Sequence, residues 1–302
     1  MKKILVIGST VVDVIINVDH LPTSKASVNI YEQDASIGGC AFNAFNAVRY
    51  FDVPAILFSP VGKGIYGEFI LNELDKRGIS SAIEQVEDNN GCCYCFVEEN
   101  GERTFISHHG TEYLFNKEWF DNINADEISA VYVCGLEVEE KTGLNIIEWL
   151  AKHPELPVYF ATGPRIQFVQ GERMERLFKR HAILHLNDDE AKLYTGKDNL
   201  DEAMKYLYEK TGNTVIVTQG KDGASFIDEK GIHSIPTAVA ENVVDTIGAG
   251  DNHIGTVMAC MYKGMNITDA ISVANKVSSK VVGVKGALLP EETINDIKKE
   301  LR

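Results

Sequence analysis

Short apolar runs recur along the chain, each followed by a glycine-bearing turn and then by a stretch with helical spacing. Runs at 4–7, 55–58, 130–133, 158–160, 183–186 and 215–217 read as strands buried on both faces. Between them, 42–51, 67–77, 143–152, 173–180, 189–194 and 201–210 read as amphipathic helices. In the second of these, Ile70, Leu71 and Leu74 make one apolar stripe and Gly78 stops the helix. Strands alternating with helices predict a mostly parallel sheet covered on both faces, a three-layer α/β/α sandwich. Two stretches break the rhythm. Residues 11–36 are strand-like on both sides of Leu21-Pro22, and 91–107 read as a hairpin turning at Glu98-Glu99-Asn100-Gly101. Hairpins inserted into a βα chain are expected outside the main sheet, as a small β flap that serves as a lid or a dimer surface.

The length of 302 residues allows one large α/β domain or two small ones, and the organisation expected is one domain over 1–302 carrying that lid. With 29 Lys+Arg against 44 Asp+Glu the net charge is −15, which excludes broad binding to nucleic acid or to an anionic membrane. A local pocket for one small phosphate is compatible with that charge. No apolar run approaches a membrane span. The start of the chain imitates a leader, but Asp13, Asn17 and Asp19 interrupt it, so a buried first strand is expected. The six cysteines include a single CxxC spacing, Cys92 to Cys95, and are expected to be reduced thiols of a cytoplasmic protein. A metal clip at Cys92-Cys93-Tyr94-Cys95 is disfavoured, because neighbours on a strand point to opposite faces.

The strongest chemical signal is Val243-Val244-Asp245-Thr246-Ile247-Gly248-Ala249-Gly250-Asp251, followed by a helix with Ile254, Val257, Met258 and Met261 on one side. Gly248 and Gly250 permit a tight turn that presents bare amides at a helix N-terminus, an anion site. Spacing alone leaves Asp251 open between a helix-capping and a catalytic carboxylate. Asn187 followed by Glu190 reads as a capping box or as a short polar pair for hydrated Mg²⁺. Asp13 by itself reads as a turn residue, and Asn275 as a solvent-facing helix asparagine.

The Asp-Thr-x-Gly-Ala-Gly-Asp sequence resembles the C-terminal signature of the ribokinase-like (PfkB) carbohydrate and nucleoside kinases. Ile37-Gly38-Gly39-Cys40-Ala41-Phe42-Asn43 resembles that family's N-terminal signature, Asn187-Asp188-Asp189-Glu190 its metal and phosphate motif, and Val217-Thr218-Gln219-Gly220-Lys221-Asp222-Gly223-Ala224 its nucleotide segment. The four matches stand in family order over nearly the whole chain. The resemblance implies a ribokinase-like sandwich with a β lid, dimeric through that lid, transferring a phosphoryl group from ATP to an alcohol. It implies Asp251 as base and Gly248, Ala249 and Gly250 as anion hole. It implies Asp13, Gly38, Gly39 and Asn43 for the acceptor, and Asn187, Thr218, Gly220, Gly223 and Asn275 for the nucleotide. It further implies Glu190 with Asn187 for Mg²⁺ through water, and K⁺ at Asp245 with carbonyls near Ile247, Val281, Val284 and Gly286. Phosphoryl transfer needs alignment and charge stabilisation more than covalent chemistry, which suits such a site.

The chain departs from the family pattern in two places. Asn252-His253 stands where a small residue and an aromatic are usual, so His253 is either a satisfied core histidine or a group that tunes the pocket. Thr162-Gly163-Pro164-Arg165 lacks the acid of the family's middle segment. The expected acceptor is a sugar; Phe42 and Phe45 beside Asn43 keep a nucleoside base as the alternative. A nicotinamide oxidoreductase is disfavoured, because Gly8-Ser9-Thr10-Val11 lacks the Gly-x-Gly-x-x-Gly turn. An inactive nucleotide-binding regulator is disfavoured by the intact Asp251, Asn187 and Glu190.

Overall fold

The computed structural model describes residues 1–237, 240 and 242–300. Its first half runs β1 (Lys3–Ile7), β2 (Val11–Val18), β3 (Glu32–Gly38), α1 (Cys40–Tyr50), β4 (Ala55–Phe58), α2 (Gly64–Lys76), β5 (Cys92–Glu98) and β6 (Arg103–His108). There follow β7 (Ile128–Cys134), α3 (Gly135–Glu139), α4 (Gly143–Lys152), β8 (Val158–Ala161), α5 (Gly171–Lys179), β9 (Ile183–Asn187), α6 (Asp188–Thr195) and α7 (Leu200–Thr211). The chain closes with β10 (Val215–Thr218), β11 (Ala224–Asp228), β12 (Gly231–Ile235), α8 (Ala249–Tyr262), α9 (Ile267–Val281) and α10 (Glu291–Glu300).

The apolar runs all became strands of one sheet ordered β12-β11-β10-β9-β8-β7-β1-β4, parallel from β4 to β10. Side-chain alternation divides the core in two. Ile4, Val6, Tyr132 and Ile216 face the layer of α1, α8 and α9. Leu5, Ile7, Val131, Val133 and Val215 face that of α4, α5 and α7. The antiparallel strands β11 and β12 extend the sheet beyond the predicted set. Their turn, Glu229-Lys230, carries none of the usual two-residue hairpin pairs, so nothing local announced it.

The interrupting stretches form a second sheet, β3-β2-β5-β6. Strand β2 pairs antiparallel with β3 and parallel with β5, and β5–β6 is the expected hairpin, its turn closed by Gly101 N–H donating to Glu98 O.

Helix α8 corrects an expectation. It was read as apolar on one side, yet every residue from 252 to 260 is buried. It lies between the sheet, α1 and α9, so its polar positions Asn252, His253 and Thr256 are interior, His253 as one of its two readings has it. Close approach of α1 requires Gly255, where a Cβ would stand 2.4 Å from Ala44 O. Gly255→Val should therefore lower stability by about 1–3 kcal/mol, read as a lower denaturation midpoint at unchanged m-value.

Candidate active site

The parallel strands end along one edge of the sheet, where β9 and β10 deliver Asn187 and Thr218, with Gly220 and Gly223 just beyond β10. Above that edge begins α8. Gly248 caps it in the left-handed region at φ 70, where a Cβ would lie 2.4 Å from the Ala287 methyl and 2.9 Å from Asn43 Nδ2. Ala249, Gly250 and Asp251 make its first turn, at the positive end of the helix dipole. Asp251 does not cap its own helix: its carboxylate accepts from Asn43 Nδ2 at 3.0 Å, a bond from the first turn of α1. Burial pushes the Asp251 carboxyl up to about 6; the Asn43 amide and the Cys40 thiol oppose the rise, and the Glu190 charge adds to it.

Asn43 is itself buried and leaves its Oδ1 without a hydrogen-bond partner. The turn before α1 is fixed by Gly39, at φ 99, whose Cβ would sit 2.6 Å from Ser9 O. Gly38 has the Asp13 carboxylate against it, 2.0 Å from where a Cβ would be. Asp13 lies within β2 rather than in a turn, and burial with the charges of Asp245 and Asp251 pushes it up to about 7. In the small sheet Asp13 is in register with Ser36 and Cys93, and Cys93 with Ser107. That polar row across four strands was missed from sequence, because only strand register brings it together.

Thr218, Gly220, Gly223 and Asn275 converge on a cleft that also includes Thr237, Ala249, Gly250 and His253. Asn275 is buried rather than solvent-facing: Nδ2 donates to Ile235 O at 3.0 Å and to Pro236 O at 3.3 Å. This orientation turns Oδ1 to His253, whose Nε2–H donates to it at 3.1 Å. The Nδ1 of His253 is then the acceptor for His185 Nε2–H at 3.0 Å. Burial drives His253 down to about 4 and His185 well below its usual range, so both rings are neutral. His253 is thus a satisfied core histidine that also borders the cleft. Phe42 and Phe45 are core residues.

Asn187 ends β9 and caps α6 through a complete capping box with Glu190. Glu190 accepts from Asn187 N–H at 3.1 Å and from the Thr162 hydroxyl at 3.3 Å, and burial holds its carboxyl above the ordinary range. No three His, Cys, Asp or Glu side chains form a metal-holding group among the described residues. A carboxylate and an amide already cross-bonded suit a cation that keeps its water shell, as Mg²⁺ does. Asp245 is buried; its Oδ1 accepts from Ile247 N–H at 2.9 Å and its Oδ2 from Gly286 N–H at 3.1 Å. It also pairs with Arg103 of β6, a partner 142 positions away that the sequence did not mark.

Comparison with known proteins bears on this arrangement. Residues 1–294 match the model of the "pfkB family carbohydrate kinase". The "Uncharacterized sugar kinase YegV" of Escherichia coli (strain K12) is 32% identical over 289 residues, covering 94% of this chain and 90% of that protein. The ribokinase structure from Thermotoga maritima superposes with a TM-score of 0.84 at 21% identity, over 99% of this chain and 100% of that one. Adenosine kinase from Sinorhizobium meliloti gives 0.86 at 18% identity, with 99% of each chain covered. The sandwich with its separate small sheet is the ribokinase fold, and the chain belongs to the pfkB family of carbohydrate kinases, ATP-dependent phosphotransferases.

Proposed function

We propose that this protein phosphorylates a hydroxyl of a small sugar with ATP, using Asp251 as the base. The observation that carries this reading is the Asp251 carboxylate at the glycine turn of α8, held by Asn43 and raised to about 6. A carboxylate so placed takes the acceptor proton as the new O–P bond forms and the γ-phosphorus bond to the departing ADP oxygen breaks, and its raised basicity improves the transfer. The amides of Gly248, Ala249 and Gly250 at the helix end balance charge on the transferring oxygens. Bound Mg²⁺·ATP supplies the phosphoryl group and neutralises part of its charge. Thr218, Gly220 and Gly223 border the nucleotide cleft, with Asn275 and His253 fixing its wall rather than offering free polar atoms. Asn187 and Glu190 would hold the metal through its waters.

On the acceptor side, Asp13, Gly38, Gly39 and Asn43 meet the sugar, and the row Ser36-Asp13-Cys93-Ser107 supplies further polar contacts from the lid, which closes over the sugar and excludes competing water. A sugar is favoured over a nucleoside because Phe42 and Phe45, the rings flanking Asn43, are committed to the core and do not face a base. The name of the E. coli relative supports the same choice. Six free cysteines support a reducing, cytoplasmic setting. The lid exposes Phe105 and Ile106 on its edge strand β6 and Ile30 and Tyr31 in the β2–β3 loop, an apolar surface that suits a homodimer.

ADP release with Mg²⁺ATP against a panel of sugars, sugar phosphates and nucleosides tests this assignment. One or more sugars should be turned over, and Asp251→Asn should lower kcat by about 10³-fold or more with the fold intact. Turnover confined to nucleosides, or full activity in the variant, would refute it. Asp13 is raised, so its charged form costs folded-state stability; the protonated form is favoured below about pH 7 and that gain is lost as pH rises through this value. Asp13→Asn should accordingly raise stability at pH 8 by about 1–3 kcal/mol while weakening sugar binding. Phe105→Glu combined with Ile106→Glu should convert a dimer to a monomer in sedimentation; an unchanged sedimentation coefficient would place the interface elsewhere.

A further inference from the structure

We infer that Arg103 is the built-in cation beside the anion hole, occupying with its guanidinium the place where the resemblance implied K⁺. This rests on the phosphotransfer reading above and concerns the same floor. Arg103 opens strand β6 of the lid and is partly buried; it pairs with the buried Asp245 through Nη1, while Nη2 donates to Val244 O at 3.0 Å. A carboxylate plus a backbone carbonyl is the ligand pair a monovalent cation would seek, and a guanidinium holds both through directed hydrogen bonds.

The donor set does not fit an additional free cation. Asp245 Oδ1 already accepts from Arg103 and from Ile247 N–H, and Oδ2 accepts from Gly286 N–H. The carbonyl of Val281, one of the groups expected to coordinate, accepts from Val284 N–H at 3.1 Å. One guanidinium cancels the one carboxylate, so a second positive charge there would meet repulsion rather than a ligand cage.

The placement has a consequence for charge at the site. Asp13, Asp245 and Asp251 are close enough to raise the basicity of Asp13, and three carboxylates would repel a polyphosphate. Arg103 removes one of those charges, and does so from the lid. The same Asp245 holds the turn before α8 through Ile247 and the loop after α9 through Gly286, so a single carboxylate ties lid, anion hole and loop together. Lys285 donating to Asp34 at 2.9 Å is a second lid-to-floor pair, but an exposed one that contributes little. Arg103 is a positioning residue: it acts on the reaction through Asp245 and the turn it holds.

Removing Arg103 leaves Asp245 buried and uncompensated, a charge that a small cation from solution can then satisfy. The test compares wild type, Arg103→Ala and Arg103→Lys in K⁺ and in choline at equal ionic strength, reading the thermal midpoint without ATP and, separately, kcat/KM. Wild type should show the same midpoint and activity in both salts. Arg103→Ala in choline should lose about 10²-fold in kcat/KM, the scale of deleting one charge-stabilising group. In K⁺ it should recover most of that loss and gain a few degrees in midpoint, as a ligand bound only to the folded state gives. Arg103→Lys should remain active in choline. A wild type that depends on K⁺, or an Arg103→Ala protein indifferent to K⁺ in both readouts, would overturn the inference. Wild type inactive on every acceptor in either salt would sink the phosphotransfer reading instead, and the midpoints would still decide Arg103. If Arg103→Ala does not fold, Arg103→Gln carries the same comparison.

Discussion

The bond from Asn43 to Asp251 joins the first turns of two helices that lie 208 positions apart in the chain, and the arrangement of the site depends on it. Each helix begins at a glycine turn that no other residue fits: Gly39 ahead of α1 and Gly248 ahead of α8. Gly255 lets the two helices approach until backbone meets backbone. The bond therefore fixes the carboxylate against the amides of its own helix end and, through Asn43, against the glycine pair beside Asp13. The two glycine turns thus share one hinge point.

The second constraint is electrostatic. A chain of net charge −15 has to bring a polyphosphate to a floor lined with carboxylates. Burial raises Asp13 and Asp251, which makes them better proton acceptors near neutral pH and costs stability where they ionise. Asp245 is treated differently, with a guanidinium and two backbone amides around it. One wall of the nucleotide cleft is neutral: His185 and His253 stay uncharged in a chain of hydrogen bonds ending on Asn275, which fixes that wall without adding to its charge.

The parallel sheet was legible because its strands are buried on both faces and leave unbroken apolar runs such as Ile4–Leu5–Val6–Ile7. The glycine turns were legible because tight turns restrict residue choice locally. What sequence did not disclose depends on distant partners. Asn275 looked like a surface residue, and it is buried because the end of β12, some forty positions earlier, folds onto it. Arg103 and Asp245 meet only once a lid strand lies over the floor. The capping box at Asn187 and Glu190 was readable as either of its two meanings, and the structure forms the box.

The most direct test of the account is the pH dependence of kcat/KM for wild type and Asn43→Ala on the best acceptor. In wild type the acid limb should fall near the value of about 6 that burial gives Asp251, with activity lost as the pH drops through it. Removing the Asn43 amide takes away a hydrogen bond to the charged form, so the limb should move to higher pH in the variant. A limb at the ordinary carboxylate position near about 4, or one that the substitution leaves in place, would contradict a base raised by burial and held by Asn43.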